Sequence, residues 1–212
     1  MKIRVLLFAI LALSVESSYH VSGEPVTTKA LLHEMVNLKR LAELLDHSYT
    51  YVQFSSYDRR STRVSEQGWF ANSDGFGDEP IPGFERVLKA PDKNGIGEYL
   101  ICEINSPGAI LRMWTARMYG SIRLYLDQND IPVYEGPAQD FFWNPLGMLS
   151  PDPLDPELVK RFHQSDATYF PIPFSRSCRI EWVGDITRTH FYHIGIRVYE
   201  PTCDVITFNP GD

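Results

Sequence analysis

The chain has 212 residues, of which 43% are apolar, 13% aromatic and 22% charged. That is the profile of an ordinary globular chain and excludes a disordered tail, a collagen or a coiled coil. Twenty basic and 27 acidic residues give a net charge of −7, and no basic stripe offsets it. Nucleic acid is therefore not an expected partner, because phosphate neutralisation supplies most of that affinity.

The first residues read as a secretory leader. Lys2 and Arg4 form a short basic start, residues 5–15 are apolar except for Ser14, and small residues follow. Val21-Ser22-Gly23 and Val15-Glu16-Ser17 are both possible cleavage sites. A spanning helix needs about 20 apolar residues, so a membrane anchor is the lesser reading and no later segment could span a bilayer. The expectation is a signal peptide at 1–23, export to the periplasm or the extracellular space, and no membrane partner. Export permits disulfides, but Cys102, Cys178 and Cys203 are odd in number. Cys102 and Cys178 sit inside apolar strand patterns, so three free thiols are expected.

Residues 29–45 follow a cap candidate, Thr28, and place Leu31, Met35, Leu38, Ala42 and Leu45 at three- and four-residue steps. The spacing predicts one amphipathic helix packed on the rest of the fold, within an N-terminal helical segment at 24–48. From residue 49 the period changes to two. Strands are expected at 49–54, 99–104, 110–115, 121–126, 131–134, 168–174, 178–182, 190–199 and 205–208. Asn105-Ser106-Pro107-Gly108 reads as a hairpin turn, and 145–156 as a surface loop entering a helical turn at 157–162. Fifteen prolines and fourteen glycines fit many short strands joined by turns. The architecture predicted is an all-β antiparallel sandwich or jelly roll over 49–212 with an N-terminal helix. Its core should include Trp114, Leu124, Ile180, Trp182, Ile194, Ile196 and Val198.

Chemical signals are sparse. His190 and His193 stand three apart on a strand and so face opposite sides, which does not suit a metal. No cysteine pair shows zinc spacing, no phosphate-cradling loop occurs, and no cofactor is expected. Glu135 and Asp140 flank a Gly-Pro turn. Glycoside chemistry needs two carboxylates about 5–9.5 Å apart, but two acids at a turn are more often only solvated. One stretch stands out. Ser56, Tyr57, Asp58, Arg59, Arg60 and Ser61 leave a strand, and Trp69 follows. Planar hydrogen-bonding groups beside an aromatic ring are what sugar hydroxyls need. The competing reading is a loop in which Asp58 pairs with Arg59 or Arg60.

The ordered blocks FSSYDRRS, WFANSDGFG, VLKAPDKNGIGEYLICEINSPGAILRMWTA, DFFW, YFPIPFSRSCRIEW and HFYHIGIRVYE resemble the domain-of-unknown-function family 2961, whose characterised members form glycoside hydrolase family 172. Within them lie a P-G-x-I-x-R-x-W pattern starting at Pro107 and the run FPIPF at 170–174. The resemblance spans about residues 35–208. It implies half of a double jelly roll, assembled with a second jelly roll or into homo-oligomers, and α-furanosidase-type activity on carbohydrate. The family's catalytic glutamates belong to the second jelly roll, in blocks with no counterpart here, so no catalytic residue is assigned. Two functions follow as expectations. The chain is the first half of an α-furanosidase-like hydrolase, inactive alone, or a non-catalytic carbohydrate-binding or structural jelly-roll module.

Overall fold

Residues 178–182 and 190–199 alternate apolar and polar side chains, and such strands bury one face by stacking sheet on sheet. The computed structural model describes residues 23–43, 47–67, 84–164 and 166–209 and has this form. Eleven strands are present among them: β1 Tyr49–Ser55, β2 Arg86–Lys89, β3 Ile96–Ile104, β4 Gly108–Met118, β5 Ser121–Leu126, β6 Tyr134–Pro137, β7 His163–Gln164, β8 Ala167–Thr168, β9 Ile172–Phe174, β10 Cys178–Asp185 and β11 His190–Tyr199. One sheet runs β1-β11-β4-β8-β7, with β9 also on β4; the other runs β2-β3-β10-β5-β6. Every strand pair is antiparallel. The fold is an all-β antiparallel jelly-roll sandwich.

The chain crosses between sheets where a hairpin was expected. β3 pairs with β2 and β10, whereas β4 pairs with β11, β8 and β9, so residues 105–107 form a corner. Pro107 fixes it, its carbonyl accepting from Tyr199 N at 2.9 Å. The next crossing, between β4 and β5, turns at Gly120 with φ of +86°, where a Cβ would lie 2.3 Å from Val183 O. Only glycine fits there.

Between the sheets lie Ile101, Ile110, Met113, Ile122, Leu124, Ile180, Trp182, Tyr192, Ile194 and Ile196, all fully buried. Val198 packs against them partly buried. Trp114 does not belong to this core. The β4–β11 register slips between Gly195 and Ile196, leaving Leu111 as an extra residue on β4. One extra residue reverses the faces beyond it, so Met113 points inward in place of Trp114, which meets His193 at 5.0 Å.

Other expectations need correction. The helix is α1, Thr28–Val36, capped by Thr27, whose hydroxyl accepts from Ala30 N at 3.0 Å. Asn37 ends it and its side chain caps a separate 3₁₀ turn, Leu38–Ala42. Leu31 is buried with Val26, Ala109, Tyr199 and Val205, but Met35 and Leu38 are 50% and 75% exposed, and Leu45 lies outside the described residues. The helix is fastened instead by Glu34, which accepts from both terminal nitrogens of Arg197 at 2.7 and 2.9 Å. The strand expected at 131–134 starts only at Tyr134, leaving Ile131 exposed. Residues 205–208 contribute a single bridge, Val205 to Val26. The 168–174 run breaks into β8 and β9 around Pro171, which cannot donate to a ladder. Two short helices, α2 Ala138–Trp143 and α3 Pro145–Leu149, occupy what was read as turn and loop, and the helical turn expected at 157–162 is α4, Pro156–Lys160. α2 buries Phe141 and Phe142 completely.

Asp127, after β5, and the following Gln128 both have left-handed backbones, φ 56° and 62°. The Asp127 carboxylate holds this turn by accepting from Ser175 Oγ at 3.0 Å, Arg176 N at 2.8 Å and the Thr207 hydroxyl. Burial would raise its pKa, but these hydrogen bonds outweigh burial and hold the carboxyl below its ordinary 3.8.

Two measurements check this account. Trp182 is fully buried and donates to Tyr119 O at 2.6 Å, so Trp182→Ala should cost about 3–5 kcal/mol in denaturant melts. A loss under about 1 kcal/mol, the range of surface changes, would contradict that placement. Because the Asp127 pKa is depressed on folding, its stabilisation is complete above the unfolded value near 3.8 and is lost as pH falls through the lower folded value. The melting temperature of Asp127→Asn should therefore fall less steeply than wild type below that point. Parallel curves would contradict it.

Candidate functional site

The segment singled out from the sequence begins where β1 stops pairing. Ser55 is buried and still opposite His193 on β11. Ser56 adds one more rung by a mixed device: its N–H donates to Tyr192 O at 3.1 Å, and its hydroxyl accepts from Tyr192 N at 3.1 Å. A serine hydroxyl standing in for a strand carbonyl ends the ladder without leaving a buried donor unpaired.

The chain then turns over Asp58–Ser61, closed by Ser61 N to Asp58 O at 3.0 Å. Asp58 accepts from Arg60 N at 3.0 Å and from Arg60 Nε at 2.9 Å. A second arm of the same guanidinium grips the other carboxylate oxygen. The Asp58 side chain is 3% exposed and that of Arg60 65%, so the carboxylate is taken up inside the loop while the arginine faces solvent. Arg59 points the other way. It donates to Ser55 O at 3.3 Å and Tyr57 O at 3.4 Å, and it pairs with Glu85 just before β2. This ion pair ties the end of one sheet to the edge of the other. The Arg59 guanidinium also lies 4.7 Å from the Tyr57 ring centre, and Tyr57 is 56% exposed. Burial pushes the Tyr192 phenol well above its ordinary value, partly offset by Arg59 beside it.

The structure thus brings Ser56 to Ser61 together as one turn. Ser56, Asp58 and Arg59 hold its shape, and Tyr57 and Arg60 are its outward side chains. Trp69 lies outside the described residues. Glu85 and Tyr192 complete the loop but are 26 and 133 positions from Arg59 in sequence, and no local pattern marks either as its partner.

The other polar groups singled out from the sequence sit in structural surroundings. Glu135 accepts from Arg123 Nε at 2.9 Å on the outer face of the second sheet. Arg123 also bonds Glu98 at 2.8 Å, and Lys89 stands 3.5 Å from Glu98. The Arg123 hydrogen bond leads the effects that lower the Glu98 pKa. His190 is buried in a ring stack 4.8 Å from Trp182, and His193 is half-buried, its pKa lowered by burial and by Arg112. Among the described residues, no three His, Cys, Asp or Glu side chains are grouped to hold a metal ion. Cys102, Cys178 and Cys203 are free thiols, and burial pushes the Cys102 thiol up.

The model of the GH172 first beta-sandwich domain matches residues 47–212. The chain belongs to the GH172 family. Its match begins two residues before β1, so the family domain takes in every strand and the Ser56–Ser61 turn, while α1 precedes it. No curated protein matches the chain.

The two partners of the Asp58–Arg60 pair should respond unequally. Asp58→Ala removes the acceptor of the turn and should cost about 1–3 kcal/mol. Arg60→Ala, at an exposed side chain, should cost under about 1 kcal/mol. Equal losses in urea melts would show that the pair does not organise the turn.

Proposed function

We propose that this GH172 domain is the first jelly roll of an exported α-furanosidase-type glycoside hydrolase, and that its Ser56–Ser61 turn lines the sugar side of the site. The observation that carries the proposal is the turn itself. Its backbone is held by Ser56, Asp58 and Arg59, with the Arg60 guanidinium engaged on Asp58, while the aromatic ring of Tyr57 is turned outward. An exposed ring to stack on, held on a rigid polar frame, is part of what sugar recognition requires.

Cleavage through an oxocarbenium-like transition state needs an acid together with a nucleophile or base. In this reading both come from a second jelly roll, as the family resemblance implies. Two details support that division of labour. The Asp58 carboxylate is enclosed by Arg60, and Glu135 is engaged by Arg123. Both carboxylates are thus already engaged by arginines of this domain.

The purified chain alone should not hydrolyse aryl arabinofuranosides or fructofuranosides. Supplying a GH172 second jelly roll, in trans or fused after Asp212, should give turnover, and Tyr57→Ala should lower kcat/KM about tenfold, the worth of one good contact. Turnover by the chain alone that disappears in Glu135→Gln or Asp140→Asn would overturn the proposal. Sugar binding without turnover in every combination would point to a non-catalytic module.

A further inference from the structure

A cavity of about 200 Å³ opens at the end of the second sheet where β3, β5 and β10 meet, and it shares no residue with the Ser56–Ser61 turn. That is smaller than the ~300–1,000 Å³ of pockets for drug-sized ligands and suits a single small ring. Glu103, Asn105, Gln128, Asn129, Asp130 and Arg179 converge on it, with Tyr125 and Ser177 as walls.

These groups are not paired off as their neighbours are. Higher on the same sheet Lys89, Glu98, Arg123 and Glu135 form a continuous chain of ion pairs. At the cavity, among the described residues, the ion pair of Glu103 is with Arg86, at 3.7 Å. The Arg179 guanidinium lies 4.1 Å from the Tyr125 ring centre, with Nε 3.3 Å from Glu181 and out of line for a hydrogen bond. Among the described residues no hydrogen bond engages the side-chain ends of Asn105, Gln128 or Asp130.

The wall that carries Gln128 and Asn129 is built. It stands on two successive left-handed residues, neither of them glycine, a conformation that persists only where surroundings impose it. Here the Asp127 carboxylate network imposes it, and Gln128 N donates to Ser177 Oγ at 2.9 Å and Asn129 Nδ2 to Leu126 O at 2.8 Å.

The charges select the ligand class. Arg179 in the cavity repels a metal cation, and Glu103 with Asp130 repels an anion. Amides and carboxylates beside a guanidinium can each donate to or accept from neighbouring hydroxyls. We propose that this cavity binds a neutral vicinal diol, one sugar ring, at a site separate from the Ser56–Ser61 turn.

The test is side-chain and backbone amide NMR of the purified chain titrated with D-fructose and, separately, D-glucose, calcium chloride and sodium phosphate. A saturable shift of Asn105, Gln128 and Asn129 signals with at least one of the sugars and with neither salt is expected. Asn105→Ala combined with Gln128→Ala, both at exposed positions, should weaken that sugar's binding about tenfold or more at unchanged melting temperature, and Arg179→Lys should weaken it as well. No shift with either sugar, or the same signals moving with calcium or phosphate, would overturn the proposal. Sugar shifts confined to residues 56–61 would overturn it too, while leaving the proposed function standing.

Discussion

One aromatic stack sets the position of the Ser56–Ser61 turn. Trp182 on β10 lies 4.8 Å from His190 on β11, 5.3 Å from Tyr99 on β3 and 5.4 Å from Phe84, with its indole N–H tied to the β4–β5 turn. Strands of both sheets are clamped through one side chain, and offset or tilted rings add to what burial alone provides. Phe84 stacks on Tyr99 at 4.1 Å, which fixes the backbone of Glu85 next to it. Glu85 in turn holds Arg59. The Ser56–Ser61 turn is therefore anchored to the interior of the sandwich through two consecutive residues, one apolar and one charged. A carboxylate on a wandering loop could not orient Arg59, because an exposed ion pair contributes too little to order two chains.

The sandwich was legible wherever a strand kept strict alternation. β11 and β5 have the bounds their period-two pattern implied, and Ile180 and Trp182 face inward together. It was not legible where one residue changed the phase. Trp114 shares parity with Ile110, and only the slip opposite Gly195 turns it outward, a property of the pairing and not of β4's own sequence. Asn105-Ser106-Pro107-Gly108 has hairpin chemistry, yet whether two strands pair or part is decided by their other neighbours. α2 escaped notice because six residues are too few to show a helical period, and its adjacent phenylalanines look the same in any apolar run.

The candidate turn was legible in composition and not in wiring. Hydroxyls, a carboxylate and two guanidiniums in six residues mark a polar turn, and the local Asp58–Arg60 pair lies within reach of sequence reasoning at a separation of two. The opposed directions of the two arginines are not. Arg59 turns inward because Glu85 and the Tyr192 region await it, and Arg60 outward because Asp58 is already behind it. Neighbouring identical residues thus take different duties, one fastening the sheets and one facing solvent.

The bridge between Val26 and Val205 has a mechanical meaning. The two segments run parallel, with Val26 N bonded to Asp204 O at 2.8 Å and Ile206 N to Val26 O at 2.9 Å. Tension applied through residues 23 and 209 would draw these segments past each other lengthwise. The hydrogen bonds would then be loaded together in shear, not opened one at a time as in a zipper. A domain joined to neighbours through both ends would meet an external pull first at this clasp, before any force reached the central strands.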